Sequence, residues 1–95
     1  MHVIKSFGSD ATKRLFNRER VKQFEAFEQQ ALRKLAMIHA AKRLDDLAAV
    51  PGNRLEKLRG NRKQQHSVRI NDQWRVCFVW KESDAYNVEI TDYHD

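Results

Sequence analysis

The residues near the end of the chain, Asp92, Tyr93 and His94, are of types that transfer protons together. A histidine exchanges a proton near neutral pH, a tyrosine donates to or orients an oxygen, and an aspartate fixes the histidine tautomer. A terminal histidine is also typical of a solvated tail. The predicted strand pairing places this group beside Arg75, and we therefore interpret all four residues as candidate catalytic residues.

A strip of positive charge lies between Arg54 and Arg75, a segment with seven basic and two acidic residues. Its net charge equals the +5 of the whole chain, because the other eleven bases and eleven acids cancel. Arginine forks match phosphate oxygens, and phosphate contacts release counterions. The strip therefore predicts binding to a polyanion, although a charge run is also typical of a solvated surface. The candidate RNA-binding residues are Arg54, Lys57, Arg59, Arg62, Lys63, His66 and Arg69.

If the polyanion is RNA, these two groups of residues support its cleavage. Attack of a 2′-hydroxyl on the adjacent phosphate needs a proton acceptor, a proton donor and cations that stabilise the developing charge. His94 and Tyr93 would accept and donate protons. Arg75, Arg59 and Lys57 would stabilise the negative charge that develops on the phosphate. This chemistry needs no metal and no cofactor. The histidines have no metal-binding spacing, and Cys77 is the only cysteine.

The length of 95 residues and the 41% hydrophobic content predict one small domain spanning residues 1–95. No apolar run approaches the roughly 20 residues of a membrane span, so no membrane partner is expected. Met1–Asp10 has no apolar stretch of signal-peptide length. A single cysteine agrees with a reducing compartment. These features predict a cytoplasmic protein.

The first elements are predicted to be a strand and a helix. His2–Phe7 alternates apolar and polar residues in the manner of a short strand. Ser9 or Asp10 is a typical N-cap for a helix that runs to about Arg18.

A long helix is predicted from Arg20 onward, because apolar residues recur at steps of mainly three and four. Such a helix suits a partner-binding surface, but packing on a sheet is favoured. Asp45 and Asp46 are expected to cap one extra turn through Ala49. The apolar positions are Val21, Phe24, Phe27, Ala31, Leu32, Leu35 and Ile38.

After Pro51 we expect a basic connector, Leu55–Gly60, and then three strands at His66–Ile70, Gln73–Trp80 and Ala85–Thr91. A two-residue first turn would put the apolar sets of its two strands on opposite faces. A three-residue loop keeps them together, pairing Ile70 with Trp74 and Arg69 with Arg75, and is therefore preferred.

The same test on the second hairpin favours pairing Trp80 with Tyr86 and Phe78 with Val88, which sets Arg75 opposite Thr91. One face of the sheet is then apolar and receives the helices. The other face carries Arg69, Arg75, Glu89, Thr91 and Tyr93. The two arginines would repel each other without an anion between them, and Glu89 is the nearest internal counter-charge.

Several motifs together carry a family resemblance. They are Ile4–Phe7, the run PGNRLEKLRG from Pro51, the run SVRINDQWRVCF from Ser67, and the closing DYH from Asp92. On these motifs the chain resembles, essentially end to end, the HigB toxins of bacterial toxin–antitoxin systems, within the RelE/ParE-like superfamily. The resemblance implies an α+β fold with an N-terminal strand and two to three helices packed on one face of a small antiparallel sheet.

The resemblance also implies a function. HigB-type toxins are metal-independent endoribonucleases that cut mRNA on the translating ribosome and thereby inhibit translation. A HigA-like helix-turn-helix antitoxin would neutralise the toxin, and operator DNA would be bound only through the complex with the antitoxin.

By position, Arg75 matches the family's phosphate-stabilising arginine, and Asp92, Tyr93 and His94 match its C-terminal catalytic group. Arg59 occupies a basic active-site position. Some members have a catalytic histidine three residues before Arg59, where this chain has Glu56. Glu56 is a candidate general base, but it equally suits a salt bridge with Lys57 or Arg59.

Two other functions remain open from the sequence. One is a ParE-like toxin on the same fold, which poisons DNA gyrase by binding it and cuts no nucleic acid. The other is a non-catalytic RNA-binding module in which His94 is only a tail.

Overall fold

A computed structural model describes residues 4–92, which form an α+β fold with a four-stranded antiparallel sheet. The four strands follow one another in the sheet in the order of the chain. Helices pack on one face, where the fully buried core side chains include Leu15, Phe24, Leu35, Val76, Phe78 and Val88. The elements are α1 (Asp10–Phe16), a 3₁₀ helix (Lys22–Phe27), α2 (Glu28–Ala40), α3 (Leu44–Ala48), β1 (Glu56–Lys57), a 3₁₀ turn (Gly60–Arg62), β2 (Gln65–Arg69), β3 (Arg75–Lys81) and β4 (Asp84–Thr91).

Helix α1 begins where the sequence predicts. Ser9 is its N-cap, and the Ser9 hydroxyl accepts a hydrogen bond from the Thr12 backbone N–H at 3.2 Å. Before this helix, the expected N-terminal strand takes the form of two isolated parallel bridges to β4, from Ile4 and Phe7. His2 and Val3 lie outside the described residues.

The long helix predicted from Arg20 is not continuous. Lys22–Phe27 is a 3₁₀ helix, and the α-helix begins only at Glu28. Val21, Phe24 and Phe27 are all buried, and their three-residue spacing matches the three residues per turn of a 3₁₀ helix. The step of four from Phe27 to Ala31 then suits α geometry.

The short helix α3 forms as predicted, with Asp46 at its start. The Asp46 carboxylate accepts hydrogen bonds from the backbone N–H groups of Lys42 (2.9 Å) and Arg43 (3.1 Å). These bonds lower the pKa of Asp46, because they stabilise its charged form.

The first hairpin has the predicted register. Arg69 pairs with Arg75, and the Ile70 N–H donates to the Trp74 carbonyl at 2.9 Å. The Asn71 side chain closes the loop by accepting from two backbone N–H groups at 2.8 Å. Trp74 then packs against the 3₁₀ helix, with its ring 5.1 Å from that of Phe27.

The predicted pairing of Trp80 with Tyr86 is wrong, since Trp80 pairs with Ala85. The turn is the residue pair Glu82-Ser83, and both residues have positive φ, 51° and 71°. These angles are typical of the type I′ turn that suits a two-residue hairpin. Neither residue is a glycine or an asparagine, so the sequence does not predict this turn.

A β-bulge restores the expected register further along the hairpin. Phe78 faces two residues of β4, Asn87 and Val88, where the pairing shifts and Asn87 has a φ of 55°. Beyond the bulge Arg75 lies opposite Thr91, as predicted. Before it Ala85 takes the core position that the sequence assigned to Tyr86, and Tyr86 pairs with Val79 instead.

The basic connector contains an edge strand that the sequence does not predict. Strand β1 pairs with β2, with Glu56 opposite Ser67 and Lys57 opposite His66. The Leu58 N–H extends this pairing by donating to the Gln65 carbonyl at 2.9 Å. This strand is what brings Glu56 onto the sheet.

Candidate active site

Arg75 is the centre of the arginine face, the sheet face that carries Arg69 and Arg75. Its Nε donates to the Ser67 hydroxyl at 2.7 Å, and its Nη2 donates to the Arg54 carbonyl at 2.7 Å. The Arg75 side chain is only 13% exposed. Because Ser67 is fully buried, these contacts hold the guanidinium in one orientation at the surface of the sheet.

Glu56 forms an ion pair with Arg75, with Oε1 3.5 Å from Nη2. The sequence left Lys57 and Arg59 open as its partners, and the structure shows Arg75 instead. Glu56 lies opposite Ser67 and is 58% exposed, so its carboxylate stands in solvent beside a largely covered cation. The position suits either a base or a counter-ion.

The backbone of Arg54 is strained where it meets Arg75. Arg54 has a φ of 46°, in the left-handed region that non-glycine residues rarely adopt. This conformation accompanies the contact between its carbonyl and the Arg75 guanidinium. Among the predicted RNA-binding residues, Arg54 therefore contributes its backbone to the site.

Asn53 is a residue of the site that sequence reasoning missed. It is fully buried, its Oδ1 accepts from Lys34 Nζ at 2.5 Å, and its Nδ2 donates to the Leu47 carbonyl at 3.0 Å. Its own carbonyl accepts from the Arg69 N–H at 2.6 Å. Asn53 thereby ties α2, α3 and β2 to the loop that presents Arg54.

Lys34, on α2, belongs to this same network. Burial lowers the pKa of Lys34, and the positive charges of Arg33 and Arg69 lower it further. No carboxylate of residues 4–92 is within ion-pairing distance of it. The amide of Asn53 is thus the acceptor that keeps this ammonium in place.

Each arginine of the cross-strand pair has its own acidic partner. Arg69 forms an ion pair with Asp72 in the hairpin loop, and Arg75 forms one with Glu56. Glu89, the expected counter-charge, instead lies 3.5 Å from Arg62. The repulsion is therefore relieved by two exposed carboxylates that an incoming anion can replace.

Cys77 pairs with Ser67 on the neighbouring strand and is buried. Burial raises the pKa of its thiol to about 11, so the thiol stays protonated at neutral pH. A buried, protonated thiol fills space in the sheet and is poorly suited to act as a nucleophile.

His66 is not brought together with Arg75. Strand alternation puts it on the helix-packed face with Val68, and its ring lies 6.3 Å from that of Phe78. Burial lowers the pKa of His66, and the charge of Lys57 lowers it further. The imidazole is thus favoured in its neutral form, away from the arginine face.

Three of the other predicted basic residues share one cavity of about 590 Å³, the cationic cavity. Lys57, Arg59 and Lys63 line it. Arg62 points elsewhere, since its Nη1 donates to Gln65 Oε1 at 2.9 Å beside Glu89. The basic strip is therefore divided between a cation-rich cavity and the two arginines of the sheet.

Asp92 follows β4 at the end where Thr91 faces Arg75. The Gln73 side chain donates to its Oδ2 at 3.0 Å, which ties Asp92 to the first hairpin loop. Tyr93 and His94, the other two members of the predicted C-terminal group, lie outside the described residues. Within residues 4–92 no group of three or more acidic, histidine or cysteine side chains is placed to hold a metal ion.

Comparison of the sequence with models of known protein families identifies the family of this chain. A family model described as the RelE-like toxin HigB of type II toxin–antitoxin systems matches residues 5–94. The chain belongs to this HigB-like toxin family. The family match confirms the resemblance seen in the sequence motifs, and the helices on a four-stranded antiparallel sheet agree with a RelE-like fold.

Individual relatives agree with this HigB-like assignment. The chain is 42% identical over 62 residues to Toxin HigB-1 of Vibrio cholerae serotype O1, an alignment that covers 65% of each protein. It is 34% identical over 56 residues to an uncharacterized protein of Haemophilus influenzae, covering 59% of this chain and 55% of that protein. The chain thus matches less than two thirds of the length of either relative. Of the helices in residues 4–92, none has the length and apolar character needed to cross a membrane.

Proposed function

We propose that this HigB-like toxin is a metal-independent endoribonuclease that cuts mRNA on the translating ribosome and so inhibits translation. The observation that carries the proposal is the held guanidinium of Arg75. It is fixed by Ser67 and Arg54, is mostly covered, and lies across from a second arginine. A preorganised cation of this kind suits the charge that develops on phosphate during transfer.

In the proposed reaction the 2′-oxygen of one nucleotide attacks its own 3′-phosphate. The new 2′-O–P bond forms as the P–O5′ bond breaks, which gives a 2′,3′-cyclic phosphate and a free 5′-hydroxyl. One group takes the proton of the 2′-hydroxyl and another protonates the leaving 5′-oxygen. Arg75 binds the non-bridging oxygens, and Lys57, Arg59 and Lys63 bind flanking phosphates.

The C-terminal group supplies the protons in this proposal. Tyr93 and His94 follow Asp92, which lies at the strand end next to Arg75's partner Thr91. His94 and Tyr93 would exchange protons with the substrate, and Asp92 would orient them. Glu56 is the second candidate base, because its carboxylate already stands beside the guanidinium that would hold the phosphate.

One pair of variants separates the two candidate bases. If His94 is the base, His94→Ala abolishes cleavage, and Glu56→Gln keeps it because the amide leaves Arg75 free to bind phosphate. If Glu56 is the base, Glu56→Gln loses cleavage while Arg75 stays folded in place. Cleavage by Glu56→Gln at the wild-type rate would exclude a base role for Glu56.

The proposed partners are those of a type II toxin. A HigA-like helix-turn-helix antitoxin would neutralise the protein in the cytoplasm, and their complex would bind operator DNA. The translating ribosome would supply the mRNA. An antitoxin reading frame beside the gene would support this arrangement.

Controlled expression of the toxin in growing bacteria tests the proposal. Rapid translation arrest with mRNA cuts in phase with codons is the expected result. A DNA-damage response without such cuts would identify a gyrase poison instead. The absence of both effects would leave a non-catalytic RNA-binding module.

A further inference from the structure

The loop between β1 and β2 separates two cavities of different chemistry. On one side lies the cationic cavity of Lys57, Arg59 and Lys63. On the other side lies a cavity of about 550 Å³, here called the amide cavity, and both cavities share Gly60, Lys63 and Gln64. Its lining is rich in carboxamides and includes Asn61, Arg62, Gln64, Gln65, Val79 and Asn87.

The amide cavity lies on the same face as Arg75. Gln65 pairs with Val79, four pairs along the ladder from Arg69 and Arg75, and alternate residues of a strand share a face. Val79 is four residues along β3 from Arg75, a distance of about 13 Å at about 3.3 Å per residue. A single strand whose phosphate contacts Arg75 therefore reaches the cavity when it continues along the sheet.

The side chains of the cavity suit a nucleobase better than a phosphate. A carboxamide both donates and accepts hydrogen bonds, as base edges do. The Arg62 guanidinium is oriented by Gln65 Oε1 at 2.9 Å and Glu89 Oε1 at 3.5 Å, and such a plane stacks on unpaired bases. The Asn87 side chain is partly engaged, because it lies 3.4 Å from the Ser6 hydroxyl. Asn61 and Gln64 are exposed.

We propose that the amide cavity binds one base of the RNA strand and sets the sequence preference of the toxin, while the cationic cavity holds the backbone. Phosphate contacts position a nucleic acid, and base contacts specify its sequence. The expected effect of the amide cavity on which sequences are cleaved rests on the proposed nuclease function. The expected base preference in RNA binding is independent of that function.

Binding to short single-stranded RNAs that differ at one base tests the assignment directly. A 2′-deoxy nucleotide at the attacked position prevents cleavage. The wild-type protein is expected to prefer one base by roughly tenfold. The variant Asn61→Ala, here called the amide variant, changes a side chain that lines only the amide cavity and should bind all the RNAs with equal affinity.

Lys57→Ala is the matched control, since Lys57 lines only the cationic cavity. It should weaken binding to every RNA by the same factor and reduce the salt dependence of binding by about one phosphate contact. In cells, sequencing of cut mRNA ends should show relaxed sequence preference for the amide variant and an unchanged preference for Lys57→Ala.

The outcomes separate this assignment from the proposed function. A wild-type protein that cuts no mRNA but binds RNA with a base preference lost in the amide variant would refute the nuclease and support the cavity. A wild-type protein without base preference would overturn the cavity, as would an equal loss of affinity for all RNAs in the amide variant. Loss of antitoxin binding alone in that variant would make the cavity a protein interface and overturn the assignment too.

Discussion

Arg75 donates a hydrogen bond from Nη2 to the backbone carbonyl of Arg54 at 2.7 Å, across 21 residues of sequence. The acceptor is offered by a residue with a φ of 46°, which follows the buried Asn53. The orientation of the central cation is thus coupled to a loop anchored on α2 and α3. Residues of the two helices therefore support the site through Asn53.

Ser67→Ala removes the acceptor of Arg75 Nε. We expect cleavage to fall about tenfold and the free energy of unfolding to fall by about 1–2 kcal/mol, because a buried donor loses its partner. Cleavage rate and urea unfolding measure the two effects. Cys77→Ala is the matched control, since it empties the facing buried position without touching Arg75, and its cleavage per folded molecule should stay at the wild-type level.

Asn53→Ala should lower the free energy of unfolding by about 2–4 kcal/mol, because the Lys34 ammonium and the Leu47 carbonyl both lose a partner. Asn53→Asp should recover part of the loss, since a carboxylate still accepts from Lys34. Denaturant unfolding of both variants checks this. A change below about 0.5 kcal/mol in Asn53→Ala would contradict the anchoring role.

His66 should make stability depend on pH. Its folded pKa is lowered, so near neutral pH the unfolded chain binds more protons than the folded chain. Stability is then complete above the unfolded value of about 6.5 and falls as the pH drops towards the folded pKa. His66→Phe keeps the stacking on Phe78 and should show a smaller decrease between about pH 8 and pH 5 in urea titrations. Equal decreases in stability in both proteins would contradict a lowered pKa of His66 in the folded state.

Ser83→Gly tests the corrected second hairpin. Ser83 has a φ of 71° in a two-residue turn, and glycine adopts that angle without the steric penalty of a side chain. The free energy of unfolding should rise by about 1 kcal/mol. In the register that the sequence favoured, with Trp80 paired with Tyr86, Ser83 does not lie in a two-residue turn and no such gain is expected. A neutral or destabilising result would therefore count against the observed register.

The sequence predicts much of the sheet, because face alternation at Val68, Ile70 and Trp74 favours a three-residue loop over a two-residue turn in the first hairpin. It does not predict the second hairpin, since Glu82 and Ser83 adopt positive φ without a typical turn signal and Asn87 forms a bulge. Edge strand β1 is too short for any period. The sequence therefore predicts neither this strand nor the contact between Glu56 and Arg75 that depends on it.

The candidate site was likewise predictable only in part. Arg75 and Arg69 could be found from residue type and strand pairing, but Asn53 could not, since a polar residue after Pro-Gly is typical of an exposed turn. The role of Lys34 could not be predicted, because helical periodicity indicates which face of the helix a residue lies on but not which acceptor it contacts. His66 lies on the face opposite the two arginines, because side chains alternate along β2, and net charge along the chain does not show this alternation.

The central claim is that the fork of Arg75, held by Ser67 and Arg54, stabilises phosphate during mRNA cleavage. The most direct test is the cleavage rate of ribosome-bound mRNA by Arg75→Lys, with unfolding measured alongside. Lysine keeps the charge but cannot reproduce the fork, so the rate should fall about 100-fold or more while the fold persists. A folded Arg75→Lys protein that cuts at the wild-type rate would contradict the account.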